Sequence, residues 1–181
     1  LRKIFIRHFY WKSSRNINKN IVNTYLDLST NLQDKKLIAN LTSDVKKIEE
    51  GVVINNFNII DYNKSPKSIK KLIKNQKSVL YFWNPEYLGK DFIASRIKYL
   101  SKKYPDLKFI GVKIAGNNKD RILKLDIKSQ YYLESSSKAS SFLTSKLPRT
   151  ILINKKGVVI NSYASLSSRN IFNQIEELAN N

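Results

Sequence analysis

Ionisable side chains follow an apolar, aromatic run of strand length, Ser78–Trp83, at the point where a helical pattern begins. They include Glu86, Tyr87 and Lys90. A lysine nucleophile needs a desolvated pocket that lowers its pKa, and the sequence gives no sign of one. Glu86 and Lys90 lie four residues apart, a spacing typical of an exposed ion pair that contributes about 0.3 kcal/mol. We therefore expect no lysine-based catalysis at this position.

Metal and thiol chemistry are also disfavoured by composition. The chain has a single histidine, His8, and no cysteine. A zinc or copper site would have to rely on scattered carboxylates, and no disulfide or thiolate can form. The sequence also contains no phosphate-binding glycine loop, dinucleotide fingerprint, nucleophile elbow or HExxH motif. We expect neither a metal nor a cofactor.

The chain is strongly basic for its length. It has 181 residues, enough for one domain with a substantial core plus an extension, and a formal net charge of +19. Such a charge points toward nucleic acid, anionic lipid or an acidic protein partner. The excess is mostly lysine and accompanies many Asn, Ile and Tyr residues, as an AT-rich coding sequence would produce. The charge is therefore either a functional basic surface or compositional drift.

Residues 1–48 read as a helical extension, because apolar residues recur there at three-to-four spacing. A third helical segment is predicted from Asp34 to Glu50. The alternative is a basic arm that binds a membrane surface or nucleic acid. The chain begins at Leu1 in mid-pattern, which predicts a fragment or a processed form, with membrane anchoring only through a region outside it. The apolar positions of the second and third segments are Ile17, Ile21, Val22, Tyr25, Leu28, Leu37, Ile38, Leu41, Val45 and Ile48.

The stretch from Ser78 to the following helix closely resembles the active-site stretch of thioredoxin-fold proteins of the TlpA/ResA-like family. The family signature is Phe-Trp-x-x-x-Cys-x-x-Cys; Phe82 and Trp83 match it, and the cysteine positions fall on Tyr87 and Lys90. Dithiol exchange needs a thiolate and a second, resolving sulfur, so the resemblance implies the fold without its redox chemistry. The degenerate site comprises Trp83, Glu86, Tyr87, Leu88, Gly89 and Lys90. Tyr81 stands where thioredoxins carry a buried acid.

A second motif supports the resemblance. Leu147, Pro148 and Arg149 resemble the cis-proline loop of the family, and a strand, a Lys-Gly turn and an antiparallel strand follow. The turn at residues 154–157 is a hairpin signal in its own right. The resemblance spans residues 51–181 and implies a thioredoxin-like α/β domain, a central mixed β-sheet flanked by helices, after the helical extension.

A short helix with a basic stripe is predicted after a strand at residues 57–62. Pro66 would begin this helix, whose apolar residues would face inward. Its other face would carry four lysines at helical spacing, Lys67, Lys70, Lys71 and Lys74. The stripe is either an ordinary solvated face or a contact for an acidic partner.

The periodicity predicts two further helices and two further strands of the domain. The first helix, after Asp91, would bury Phe92, Ile93, Ile97, Leu100 and Tyr104, and the last, capped by Ser167 and Ser168, would bury Ile171, Ile175 and Leu178. Strands are predicted at residues 107–114 and 130–133.

The first function hypothesis is a redox-inactive module of an assembly, which the family resemblance implies to be periplasmic or otherwise extracytoplasmic. In thioredoxin folds an extended peptide lies in a groove between the active-site loop and the cis-proline loop. Trp83, Tyr87, Leu147 and Arg149 would border that groove here. The module would bind a protein partner or serve as a structural spacer. The alternatives are a thiol-disulfide oxidoreductase by descent and a basic nucleic-acid or ribosome-associated module.

Overall fold

A seven-stranded mixed sheet forms the centre of the chain. The computed structural model describes residues 19–36, 38–39, 48–84, 89–114, 128–133, 137 and 149–181. The strand order is β2-β1-β5-β4-β3-β6-β7. The strands are β1 (Asn58–Ile60), β2 (Pro66–Ser68), β3 (Ser78–Trp83), β4 (Lys108–Ile114), β5 (Gln130–Leu133), β6 (Arg149–Ile153) and β7 (Val159–Ala164). The helices are α1 (Lys19–Leu28), α2 (Ile69–Ile73), α3 (Lys90–Lys103) and α4 (Ile171–Asn180).

Both parallel and antiparallel pairings occur in the sheet. Strand β3 pairs in parallel with β4, and β4 pairs in parallel with β5. Strand β6 runs antiparallel to β3, and β7 runs antiparallel to β6. The prediction of a central mixed sheet with flanking helices is therefore confirmed.

Every residue of β3 is buried, so this strand lies in the interior of the domain. Its side chains alternate between the two faces of the sheet, as the period of a strand requires. Leu80 and Phe82 join one hydrophobic cluster, and Val79, Tyr81 and Trp83 join the other. Burying a large apolar side chain contributes about 1.5–3 kcal/mol, so this strand holds the two layers together.

Helices α3 and α4 cover the face of the sheet that contains Tyr81. The predicted inward residues of α4, Ile171, Ile175 and Leu178, are buried, as are those of α3 at Ile93, Ile97 and Leu100. The prediction for Phe92 is wrong, because its side chain is 40% exposed. The predicted cap of α4 is also wrong: Asn170 is the N-cap, and the Ser168 side chain instead accepts a hydrogen bond from the Asn170 amide.

The predicted helix start at Pro66 is wrong, because residues 66–68 form β2 and pair with β1. Helix α2 begins at Ile69, after an N-cap serine whose hydroxyl accepts a bond from the Lys71 amide at 3.4 Å. That Ser68 hydroxyl also donates to the Asn56 side-chain oxygen at 2.7 Å. These local bonds favour a strand followed by one helical turn over a longer helix. Ile69 and Ile73 pack on the second face of the sheet.

The N-terminal segment is helical where the structure describes it. Helix α1 is followed by helical residues at 32–36 and 38–39, and Val22 and Ile38 are buried. Leu28, one of the apolar positions of the predicted helical pattern, is 77% exposed. The third segment was expected to run as a helix to Glu50, but residues 48–50 form a bend and a turn. The predictions for residues 1–18 and 40–47 lie outside the described residues, and the division at residues 48–51 stays a prediction.

The segment after residue 50 pairs with the start of β7. The Gly51 amide donates to the Val159 carbonyl at 2.8 Å, and the Val159 amide donates to the Val52 carbonyl at 3.0 Å. The segment therefore covers part of the sheet edge that β7 would otherwise leave open. Within the described part of the chain, no helix has both the length and the apolarity to cross a bilayer.

The predicted hairpin between β6 and β7 is confirmed. The Gly157 amide donates to the Asn154 carbonyl at 2.9 Å, and the Asn154 side-chain oxygen accepts bonds from the amides of Lys156 and Val158. Gly157 has φ +80°, a conformation that residues with a Cβ rarely adopt. This turn sets the register of β6 against β7.

Candidate functional site

The site predicted from the sequence lies where two antiparallel strands meet. Phe82, near the end of β3, pairs with Arg149, the first residue of β6. The loop that leaves β3 and the loop that enters β6 therefore adjoin the same end of this strand pair. The predicted loop residues Glu86, Tyr87, Leu88, Leu147 and Pro148 lie outside the described residues.

Trp83 and Arg149 were expected to border a groove, but each is only 1% exposed. The Trp83 indole packs among the residues beneath α3 and α4. Its Nε1 atom is buried and has no hydrogen-bond partner in the described residues. In the described structure, these two side chains are thus buried and offer almost no surface to a partner.

Arg149 links two strands of the sheet. Its Nε atom donates to the Ser162 carbonyl of β7 at 2.9 Å. Its guanidinium carbon lies 4.6 Å from the centre of the Tyr163 ring, within the range of a cation–π contact. The side chain that follows Pro148 therefore fixes β6 against β7 at the edge from which the loop enters.

Gly89 and Lys90 mark the start of α3. Gly89 is the N-cap and provides no side-chain cap, and its carbonyl accepts a bond from the Ile93 amide at 3.2 Å. Both residues are exposed. The first turn of a helix carries partial positive charge, which favours an anion such as a thiolate and disfavours a cation. Lys90 therefore places a positive charge where thiol chemistry would use a negatively charged thiolate.

Tyr81 forms a buried polar contact beneath the site. The Gln130 Nε2 atom of β5 donates to the Tyr81 hydroxyl at 2.8 Å and also points to the Lys128 carbonyl at 3.2 Å. Burial raises the pKa of the Tyr81 phenol well above its ordinary value. The phenol therefore stays neutral, so it cannot act as the proton acceptor that a buried carboxylate would be.

Two buried polar residues of the site were missed by sequence reasoning. Gln130 is almost fully buried, and so is Lys113, which pairs with Trp83 on one side and Tyr132 on the other. Lys113 lies between Val112 and Ile114 in the sequence. Its inward orientation could have been predicted only by assigning alternate residues of the strand to the two faces of the sheet. Alternation along β4 places its side chain on the same face of the sheet as that of Phe109.

The four predicted lysines do not lie on one helix face. Lys67 belongs to β2, where its ammonium lies 3.2 Å from the Asp61 carboxylate. Lys70 and Lys71 are exposed on α2, and Lys74 is its exposed C-cap. Backbone hydrogen bonds from Ser65 lower the pKa of Asp61, so the carboxylate remains charged beside Lys67. Three exposed lysines remain around one short helix.

Comparison with known proteins settles the fold. The sequence matches no protein-family model and no curated protein. A protein from Bacteroides vulgatus that is provisionally assigned as a thiol-disulfide oxidoreductase is 24% identical; the match covers 73% of this chain and 98% of that one, with a TM-score of 0.59. The thioredoxin domain of a thiol-disulfide oxidoreductase from the same organism is 19% identical over 72% and 97% of the two chains, with a TM-score of 0.55.

A thiol:disulfide interchange protein from a Bacteroides species is also similar, with 19% identity over 75% of this chain and 93% of that one and a TM-score of 0.54. The chain has a thioredoxin fold. The prediction of this fold without its active-site cysteines is thereby confirmed, since the chain contains no cysteine at all. At these identities the thioredoxin fold is shared, and the activity has to be argued from this chain's own residues.

Proposed function

We propose that this chain is a redox-inactive thioredoxin-fold module that binds a protein partner through the loops at the end of β3 and the start of β6. One observation carries the proposal: Phe82 and Arg149 remain paired, so the two strands that hold these loops keep their arrangement although both cysteine positions are occupied by other residues. A fold that is retained without its reactive cysteines is expected where the fold itself provides the contacts with a partner.

The interior beneath the loops supports the same proposal. A buried carboxylate costs desolvation energy and is useful only when it exchanges a proton. Here Tyr81 occupies that interior position as a neutral phenol held by Gln130. This arrangement favours a stable scaffold over proton transfer to a sulfur.

The proposed partner binds as an extended segment. A thioredoxin fold can hold such a segment by backbone hydrogen bonds beside the proline that precedes β6. Because Trp83 and Arg149 are buried, the contact surface falls to the loop residues themselves, including Tyr87 and Leu147. The proposed location is extracytoplasmic, where the thiol-disulfide oxidoreductases that share this fold would encounter oxidised substrates.

Affinity capture tests the proposal. The full chain is immobilised and exposed to an extract of its native cells, beside the double variant Tyr87→Ser/Leu147→Asp. The matched control is Leu28→Ser/Leu32→Asp, which changes two exposed residues of the N-terminal segment outside the two loops. We expect a protein that the wild type and the control retain and the loop variant releases.

Equal retention of every captured protein by all three chains would contradict the proposal and favour a structural spacer. A salt series with a single-stranded oligonucleotide addresses the basic charge. Affinity that falls steeply with salt, together with loss of protein capture after nuclease treatment, would contradict the proposal in favour of a nucleic-acid module.

A further inference from the structure

An arginine on α3 is held between two aromatic rings. The guanidinium carbon of Arg96 lies 5.2 Å from the centre of the Phe92 ring and 4.7 Å from that of Phe172, which belongs to α4. The Tyr99 ring meets Phe172 edge to face, with centroids 5.9 Å apart. We call these four residues the Arg96 cluster. Cation–π contacts of this kind restrict the guanidinium before any ligand arrives.

No carboxylate of the described residues pairs with the Arg96 guanidinium. In the described part of the chain, Arg96 forms neither a hydrogen bond nor an ion pair, and its Nη1 atom is buried without a partner. Arginine donors normally pair with carboxylates or phosphates in a planar fork, and an unpaired buried donor is costly. Because Nη1 is enclosed, the pair of donors formed by Nε and Nη2 remains available to a ligand.

The surface around the Arg96 cluster combines exposed aromatic side chains on the basic helix α3 with two glutamates of α4, Glu176 and Glu177. Phe92 is 40% exposed and Tyr99 is 56% exposed, so two aromatic side chains border the arginine on the surface. Helix α3 carries five basic residues and one acidic residue, Asp91. A ligand matched to this surface has a carboxylate for Arg96 and an apolar side chain next to it.

We infer that the Arg96 cluster is a docking site for an acidic segment of a protein partner, with one carboxylate on the Arg96 fork and a neighbouring apolar side chain against Phe92 and Tyr99. The inference rests on the proposed function and adds to it a second contact surface and the chemistry of the partner. Charge complementarity with a chain of net charge +19 favours the same occupant.

A nucleic acid fits this surface less well. Bases bind such surfaces by stacking on exposed aromatic faces. The faces of Phe92 and Phe172 that meet Arg96 are already covered by its guanidinium, and Tyr99 is engaged edge to face with Phe172. A single guanidinium between rings suits one carboxylate better than a row of phosphates, which needs several converging cations.

Selection from a phage-displayed library of random peptides tests the inference on the full chain. We expect enriched peptides in which Asp or Glu adjoins an aromatic or aliphatic residue. Arg96→Gln should weaken their binding by about 10-fold or more, because a hydrogen bond to a charged group is lost. Arg96→Lys should weaken it similarly, because an ammonium keeps the charge but not the planar fork. Lys102→Gln, which removes an equal charge from the same helix, should leave the affinity unchanged.

Each other outcome contradicts the inference. Enriched peptides without acidic residues, no enrichment above the bare support, or equal binding to Arg96→Gln would overturn it. Peptides that bind Arg96→Gln but not the Tyr87→Ser/Leu147→Asp variant would overturn it while leaving the proposed function standing. A single-stranded oligonucleotide that displaces the peptides and itself requires Arg96 would assign the Arg96 cluster to nucleic acid instead.

Discussion

The Tyr81 ring packs so closely against the Gly111 α-carbon that a Cβ at position 111 would lie 2.6 Å from Tyr81 Cζ. The two residues are register partners on the parallel strands β3 and β4. The Gln130 Oε1 atom would also lie 2.6 Å from that Cβ. Gly111 thus provides the space in which Tyr81 and Gln130 form their buried contact.

Gly111→Ala should therefore destabilise the fold. The displaced neighbours are a ring and an amide in the interior, so we expect a loss of about 1–3 kcal/mol in the free energy of unfolding, as for other overpacked cores. Urea denaturation measures it. Gly89→Ala is the control: nothing lies within 4 Å of a Cβ there, and only its weaker N-cap preference should cost about 0.5 kcal/mol. Equal losses at both positions would contradict the packing described.

The Tyr81 phenol should make stability fall at high pH. Its pKa is raised in the folded state, so the unfolded chain loses this proton first. The contribution is fully present below about pH 10 and is lost above it, at up to about 1.4 kcal/mol per pH unit. Denaturation between about pH 8 and pH 11 measures the slope in wild type and in Tyr81→Phe. We expect a shallower loss in the variant; identical slopes would show that the phenol ionises as readily in the folded chain as in the unfolded one.

Arg149→Lys should be costly despite keeping the charge. A lysine cannot reproduce both the bond to the Ser162 carbonyl and the stacking on Tyr163, and it leaves a charge in a buried position. We expect a loss of about 2–4 kcal/mol in unfolding free energy. Arg169→Lys, at an exposed position, should change it by less than about 0.5 kcal/mol. A comparably small effect at Arg149 would mean that this side chain does not hold β6 to β7.

Restoring cysteines should restore part of the lost chemistry. We expect the pair Tyr87→Cys/Lys90→Cys to form an intramolecular disulfide and to reduce insulin above background, because the start of α3 lowers the pKa of a nearby thiol. Turnover should stay slow, since Tyr81 supplies no proton acceptor. The control pair Tyr99→Cys/Lys102→Cys has the same residue types and spacing within α3. Equal insulin reduction by both pairs would refute the assignment of Tyr87 and Lys90 to the cysteine positions.

The sequence was most informative where one residue pattern allowed one structure. The run from Ser78 to Trp83 has no polar interruption, and a strand buried on both faces is what such a run forms. The turn at Gly157 likewise combined a permissive glycine with flanking β-branched residues. Both were predicted correctly without knowledge of any tertiary contact.

The misassigned elements depended on contacts that spacing does not encode. Ile69 and Ile73 fit a helix that could equally begin at Pro66, and only the pairing of residues 66–68 with β1 decides the boundary. Phe92 fits the apolar face of α3, but its ring is drawn to Arg96 on the outside. The spacing of Phe92, Arg96 and Tyr99 at i, i+4 and i+7 was the available signal of the Arg96 cluster.

The burial of Arg149 could not be predicted from its type. Arginine is almost never fully buried unless it is paired, and the partner carbonyl at Ser162 comes into reach only when β7 folds back on β6. The resemblance placed Arg149 in the cis-proline loop, whereas the structure makes it the first residue of β6. Its role in holding the two strands together becomes visible only in the packed structure.

The most direct test of the central claim is the affinity of the captured partner for the wild-type chain, measured by titration calorimetry before and after alkylation of the partner's thiols. We predict the same Kd in both titrations, no covalent adduct on a non-reducing gel, and weaker binding by Tyr87→Ser/Leu147→Asp. Binding that disappears on alkylation, or that is unchanged in the loop variant, would contradict the account of a thioredoxin fold kept for contact without thiol exchange.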